Sequence, residues 1–87
     1  MEKAIGLVET ISVAVGIELA DTMVKIAPVK LFLARPICPG KFIVLVGGDV
    51  GAVKNSLQAG RKAAEHYLAD SILIARVHSD VFPALEA

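Results

Sequence analysis

The sequence predicts a small mixed α/β (α+β) domain, in which β-α-β units share one four-stranded antiparallel sheet in the split, ferredoxin-like arrangement. Three observations lead to this fold class: short apolar runs typical of strands, two longer segments with helical spacing of apolar residues, and their alternation along the chain. Eighty-seven residues hold a single hydrophobic core, so we expect one domain over residues 1–87.

The first strand and helix are marked by a change in the spacing of apolar residues. Residues 4–10 predict a strand, because side chains for opposite faces alternate there. Thr10 or Ser12 can cap a helix over residues 13–27, which Pro28 ends. We expect this helix to bury a stripe formed by Val13, Ile17, Ala20, Val24 and Ala27.

The middle of the chain predicts two strands joined by a stiff loop. Residues 29–34 are a β-type run, and residues 41–46 (KFIVLV) predict a central strand covered on at least one face. Residues 36–40 lie between them and contain two prolines and a glycine, which excludes regular structure. After the second strand, we expect Gly47 and Gly48 to turn the chain.

The last part of the chain predicts a second long helix, a final strand and a short terminal helix. Asp49 is a suitable N-cap for a helix over residues 50–67, followed by a strand over 71–77 and a helix around 81–85. Small residues such as Gly60 would let the long helix lie close to the sheet. We expect its buried stripe to be Val53, Leu57, Gly60, Ala64 and Tyr67 or Leu68.

The composition favours self-association and argues against nucleic acid as a partner. Apolar residues make up 55% of the chain, and a domain this short has little interior in which to bury them. The formal net charge is zero and no basic stripe is present, whereas nucleic-acid binding requires a positive surface. Near-zero charge also leaves little repulsion between copies of the chain. A very apolar monomer is the alternative.

We expect a cytoplasmic protein with no membrane or export segment. Glu2, Glu9 and Glu18 interrupt the apolar region that a signal peptide would need, and the apolar runs are too short to cross a bilayer. Cys38 is the only cysteine, which excludes an internal disulfide and is typical of a reducing compartment.

No catalytic set is recognised, so we expect no enzymatic activity. His66 and His78 have no carboxylate or cysteine at metal-ligand spacing, and no nucleophile is paired with a base. The run from Gly47 to Gly51 matches neither common phosphate-binding motif, and Asp49 would place negative charge where a phosphate binds. A turn and a helix cap explain this run better.

Three segments resemble bacterial microcompartment (BMC) shell proteins: KAIGLVET at residues 3–10, GIELADTMVKIAPV at 16–29 and VGGDVGAVKNSLQAG at 46–60. The resemblance implies a BMC fold that forms a flat homo-hexamer, or a pseudo-hexameric trimer if the chain is half of a tandem protein, tiling with other shell proteins. It also implies that Lys25 lies at the edge between tiles. Alternatively, Lys25 simply complements the dipole near its helix C-terminus.

The loop PICPGKF at residues 36–42 and the ending VHSDVFPAL at 77–85 resemble a narrower group within this family. This group is the first half of the tandem-domain iron–sulfur shell proteins of propanediol-utilisation microcompartments. Single-domain shell proteins of glycyl-radical microcompartments have a similar loop. The resemblance implies that Cys38 holds an iron–sulfur cluster of the 4Fe–4S type, shared between subunits, for electron transfer across the shell. The implied pore loop consists of Pro36, Ile37, Cys38, Pro39, Gly40 and Lys41.

Other interpretations of Cys38 stay open at this stage. A free cysteine is most often a small buried hydrophobe, although a loop with two prolines is seldom part of a core. One thiol cannot hold a cluster, so several copies would have to meet on an axis. Without a cluster, Cys38 would only narrow a pore for metabolite diffusion. A ferredoxin-like regulatory trimer that binds a nucleotide is a further alternative, disfavoured because no long basic loop is present.

Overall fold

Strands and helices follow one another in the predicted order in the computed structural model, which describes residues 3–37 and 39–86. The element order β-α-β-β-α-β-α is confirmed for these residues, with one 3-10 turn, Glu65–Tyr67, between the second helix and the last strand. The elements are β1 (Lys3–Thr10), α1 (Val13–Ile26), β2 (Lys30–Pro36), β3 (Phe42–Asp49), α2 (Val50–Ala64), β4 (Leu68–Ala75) and α3 (Val81–Glu86).

The four strands form one antiparallel sheet in the order β2-β3-β1-β4. The prediction that the KFIVLV segment forms a central strand is confirmed, since β3 lies between β2 and β1 and buries Val44, Leu45 and Val46. Helices α1 and α2 cover one face of the sheet, and the core lies between them and the buried side of β1 and β3. The fold is therefore the split β-α-β arrangement that the sequence predicts.

The prediction that Gly47 and Gly48 turn the chain is wrong. Both residues continue β3, paired with Ile5 and Ala4 of β1, and the strand ends only at Asp49. A Cβ atom at Gly47 would lie 2.6 Å from the Phe32 ring and 2.8 Å from the Phe82 ring. Gly47 therefore makes room for two aromatic rings over the sheet rather than for a turn.

The predicted buried stripe of α1 is wrong in part, because the helix is rotated by about one residue. Ile17 is 58% exposed, while its neighbour Gly16 is buried against Phe42 of β3. Apolar spacing treats a glycine as neutral, so the pattern did not reveal this contact. Val13 and Val24 are half-buried, and Ala20 and Ala27 are buried as predicted. The buried residues within α1 are Gly16, Leu19, Ala20 and Met23.

Ser12, rather than Thr10, caps α1. The Ser12 Oγ accepts a hydrogen bond from the Val15 backbone N–H at 3.2 Å, and the Thr10 hydroxyl donates to the Ser12 carbonyl at 2.7 Å. Asp49 precedes α2 as predicted, but its side chain makes no capping bond and instead pairs with Lys3, Nζ to Oδ1, at 2.9 Å. The first residues of β1 and the last of β3 are thereby tied together.

The buried stripe of α2 is confirmed for Val53, Leu57, Gly60 and Ala64. Of the two residues predicted to end it, Tyr67 is exposed in the 3-10 turn, since α2 ends three residues earlier, whereas Leu68 is half-buried against the core. The strand β4 then begins at Leu68 rather than at residue 71, and ends at Ala75.

Small residues allow α2 to pack closely against two neighbours. A Cβ atom at Gly60 would lie 2.7 Å from the sulfur of Met23. This glycine therefore lets α2 approach α1, whereas the sequence had led us to expect a close approach to the sheet. Close approach to the sheet comes instead from Gly6 of β1, where a Cβ atom would lie 2.8 Å from Val53. Ser56, fully buried, joins the two helices by donating a hydrogen bond to the Met23 carbonyl at 2.9 Å.

Candidate functional site

The loop between β2 and β3 lies at one end of the sheet. Pro36 and Phe42 form the last pair of the two strands, so Ile37 and residues 39–41 lie beyond the ladder. The Ile37 backbone N–H donates a hydrogen bond to the Lys41 carbonyl at 3.2 Å, which closes the base of the loop. Gly40 has a φ of +79°, a backbone conformation that residues other than glycine seldom adopt. The loop is thus held in a tight backbone path by its own residues.

The predicted pore-loop residues are largely exposed to solvent. Pro36, Ile37, Pro39 and Gly40 are exposed, and Lys41 is half-buried. Cys38, the predicted cluster ligand, lies outside the described residues. A Cβ atom at Gly40 would meet no atom within 4 Å, so the space beside the loop is open. A second molecule can approach this loop closely.

The donor set of one chain does not suffice for an iron–sulfur cluster. Within residues 3–37 and 39–86, no group of three or more His, Cys, Asp or Glu side chains is placed to hold a metal ion. The chain has one cysteine, and iron–sulfur clusters take several thiolates. The loop is exposed and the space beside Gly40 is open, so a cluster can be accommodated there. Enough thiolates are present only if the loops of several copies meet.

Lys25 lies in the last turn of α1, on the surface. Its side chain is 73% exposed, and its Nζ lies 2.8 Å from the Oδ2 of Asp21 one helical turn earlier. Exposed pairs of this kind contribute little to stability. Ile26 beside it is 60% exposed, so a charged and an apolar side chain are presented together at this helix end.

A cavity of about 370 Å³ lies on the opposite face of the sheet, beneath α3. The Phe82 ring of α3 packs against that of Phe32, with 5.6 Å between ring centroids, and Lys30 forms an ion pair with Glu86. The sequence analysis did not predict this cavity or the packing of the two rings. Gly47 was the available signal, because the rings pack where a larger residue would have its Cβ atom. The cavity is lined by Lys3, Lys30, Phe32, Gly47, Gly48, Phe82 and Glu86.

The two histidines make surface contacts. His66 stacks on Tyr67, with 4.2 Å between ring centroids. The Nδ1 of His78 accepts a hydrogen bond from the Asp80 backbone N–H at 3.1 Å, within the turn that leads into α3. Neither ring faces a nucleophile in these contacts. No helix in the described part of the chain combines the length and apolar character needed to span a bilayer.

Comparison with known proteins decides the family. Residues 4–77 match the BMC domain, which covers most of the chain. The chain belongs to the BMC domain family. The bacterial microcompartment shell protein PduT of Citrobacter freundii is 44% identical over 98% of this chain and 46% of its own length. The carboxysome shell protein CsoS1 of Prochlorococcus marinus is 40% identical over 94% of this chain and 82% of its own length.

A solved structure shows the same fold as this BMC domain. The crystal structure of a microcompartments protein from Desulfitobacterium hafniense DCB matches with a TM-score of 0.93 and 49% identity. The match covers 97% of this chain and 47% of that one. The chain thus spans about half the length of PduT and of this protein.

The match to the BMC domain includes the loop and the Lys25 region but ends before α3. It runs from Ala4 to Val77, whereas α3 begins at Val81. The helix that packs Phe82 over the sheet therefore lies outside the matched span. The BMC match accounts for the sheet, α1, α2 and the loop, and the structure shows in addition that α3 packs over Gly47.

Proposed function

We propose that this BMC domain is a structural tile of a bacterial microcompartment shell in the cytoplasm, and not an enzyme. The observation that carries the proposal is the match of residues 4–77 to the BMC domain, supported by relatives that are named shell proteins. The tile assembles with copies of itself and with other shell proteins. It forms a hexamer, or a pseudo-hexameric trimer when it is half of a tandem chain.

Within this assembly, the loop of residues 36–41 lines the central opening. Its exposure at the end of the sheet and the open space beside Gly40 support this role, because loops from several copies can then meet on one axis. Lys41 follows the turn and is half-buried, so its charge lies at the base of the loop. Lys25, exposed on α1, lies at the edge where tiles meet.

Cys38 holds an iron–sulfur cluster, of the 4Fe–4S type, shared between subunits at the opening. The likeness of the PICPGKF segment to the corresponding loop of tandem-domain iron–sulfur shell proteins supports this assignment. Pro36 and Pro39 restrict the backbone on both sides of Cys38, which reduces the entropy lost when the thiol binds a metal. A cluster held by Cys38 would supply single-electron chemistry at the opening of the shell.

Anaerobic reconstitution with iron and sulfide tests the assignment. We expect wild-type protein to gain broad visible absorption and, after reduction, a paramagnetic signal, and Cys38→Ser to show neither while forming the same ring in native mass spectrometry. Ile37→Ala is the matched control, because it alters the same exposed loop but keeps the thiol.

Three results would separate the parts of the proposal and its alternative. Equal iron and sulfide binding by wild type and Cys38→Ser would refute the cluster and leave a plain pore for metabolite diffusion. A wild-type chain that stays a single 9.1 kDa species at micromolar concentration would refute the shell function itself. Saturable nucleotide binding by a trimer would instead support the regulatory alternative.

A further inference from the structure

A second groove lies on the helix side of the sheet, between α2 and the strand β4. It has a volume of about 240 Å³ and shares no lining residue with the cavity beneath α3. Strand β4 is paired only with β1, so the groove follows an outer edge of the sheet. It is lined by Lys54, Leu57, Gln58, Arg61 and Leu73.

The polar side chains of this groove lie along one side of α2. Lys54, Gln58 and Arg61 are separated by four and three residues, a spacing that places them on the same side of a helix. Lys54 and Arg61 are two turns apart, so their Cα atoms lie about 10 Å apart along the helix axis. Leu57 comes between them on the helix and forms the apolar lining together with Leu73 of β4. The groove therefore combines two separated cations with an apolar lining.

The two cations of the groove have no anionic partner within the described part of the chain. Neither Lys54 nor Arg61 forms an ion pair among residues 3–37 and 39–86. Helix α2 contains three cationic residues and no carboxylate. Because Lys54 and Arg61 are the only charged residues in the lining, the groove has a net charge of +2. A groove of this kind attracts anions.

The neighbouring strand holds Arg61 in place. The Nε of Arg61 donates a hydrogen bond to the Ser71 Oγ of β4 at 2.6 Å. This bond uses one N–H donor of the guanidinium and leaves the two terminal amino groups, whose fork geometry matches a carboxylate. Because the side chain is already fixed between α2 and β4, less rotamer entropy is lost when an anion binds.

We propose that this groove binds a small organic dianion, namely a dicarboxylate with a short aliphatic chain. One carboxylate pairs with Arg61 and the other with Lys54, while the CH₂ groups between them lie against Leu57 and Leu73. Two separated cations favour two separated negative charges over a monocarboxylate, and the apolar lining favours an aliphatic chain over inorganic phosphate. The inference goes beyond the proposed shell function and does not rest on it, since one chain supplies every group that binds the ligand.

Methyl NMR tests the site, because two leucines line the groove. We expect the Leu57 and Leu73 methyl signals of leucine-labelled protein to shift and to saturate below roughly 10 mM of at least one of succinate, glutarate and adipate at low salt. The methyl signals of Leu31, which is exposed on the opposite edge strand β2, should not move. Butyrate, valerate and hexanoate have the same chain lengths but one charge less. We expect them to bind roughly fivefold more weakly or worse.

Side-chain variants locate the two ends of the ligand. We expect Lys54→Gln and Arg61→Gln each to reduce the affinity for the preferred dicarboxylate to that for the matching monocarboxylate, because one carboxylate then has no partner. Lys62→Gln is the matched control, since it removes the same charge from an exposed position of α2 outside the groove. Ser71→Ala keeps both charges but releases the Arg61 side chain, and should weaken binding by roughly two- to tenfold.

Three outcomes would overturn the proposal. If no dicarboxylate gives saturable shifts of the Leu57 and Leu73 signals, the groove is not a binding site for this class of ligand. Equal affinity for dicarboxylates and monocarboxylates would refute the contact with both cations. Equal weakening by Lys54→Gln and Lys62→Gln would show that anions respond to the overall charge of α2 and not to the groove. None of these outcomes depends on whether the chain forms rings, so failure of this site leaves the shell function untouched.

Discussion

Gly16→Ala is the most direct test of how α1 packs against the sheet. A Cβ atom at this position would lie 2.4–2.6 Å from the ring and the Cβ of Phe42. Phe42 is 4% exposed and begins β3, where it is paired with Thr10 and Pro36. Because part of the clash is with the Phe42 Cβ, a rotation of the ring cannot remove it. The helix or the strand end must move.

The magnitude follows from two opposing terms. Alanine in a helix is favoured over glycine by about 1 kcal/mol. Overpacking a core costs about 1–3 kcal/mol, and occasionally more. At Gly16 we expect the overpacking cost to be about 2–3 kcal/mol, because contacts of 2.4–2.6 Å can be relieved only by backbone movement. The net loss in the free energy of unfolding is then about 1–2 kcal/mol. In a domain of this size, such a loss lowers the Tm by roughly 4–16 °C.

The assay is thermal and urea unfolding followed by circular dichroism, at one protein concentration because assembly itself shifts apparent stability. Gly51→Ala is the matched control: it makes the same change in α2, where a Cβ atom would meet nothing within 4 Å. We expect that control to gain about 0.5–1 kcal/mol. If Gly16→Ala is as stable as wild type or more so, the described contact between α1 and Phe42 is wrong.

Two further variants test the helix contact and the tile edge. Ser56→Ala removes the buried hydrogen bond to the Met23 carbonyl and should lower the free energy of unfolding by about 1–2 kcal/mol. Exposed Ser79→Ala should change it little, and equal effects of the two changes would contradict a role for the Ser56 bond. Lys25→Ala should leave single rings intact but suppress sheets in electron microscopy, whereas Lys62→Ala on α2 should not. Loss of the ring itself with Lys25→Ala would place this residue inside the ring.

Local patterns were sufficient to predict the order of the elements. Pro28 follows α1, Pro39 and Gly40 lie in the loop between β2 and β3, and apolar spacing distinguishes the two long helices from the strands. The central position of β3 followed from the same reasoning, because a nearly continuous apolar run must be covered. These signals work because they depend on neighbours within a few residues.

The glycines show where local reasoning failed. Gly47 was expected to turn the chain but lies in β3, and Gly16 was not counted as buried although it contacts Phe42. In each case the reason for the glycine is an aromatic ring from another element. Spacing along the chain contains no information about that ring. The rotation of α1 that exposes Ile17 follows from the same contact.

In the candidate site too, some features were predictable from the local sequence and others only from the tertiary structure. The loop of residues 36–41 was predicted from its prolines, its glycine and its likeness to shell proteins, and the structure adds the closing hydrogen bond between Ile37 and Lys41. The role of Cys38 stays a prediction. The pairing of Glu9 with Asp70 and of Leu7 with Ile72 was not predicted, since only the register of β1 against β4 brings these residues together. Strand register joins residues distant in sequence, and so only the tertiary structure decides which side chains form a surface.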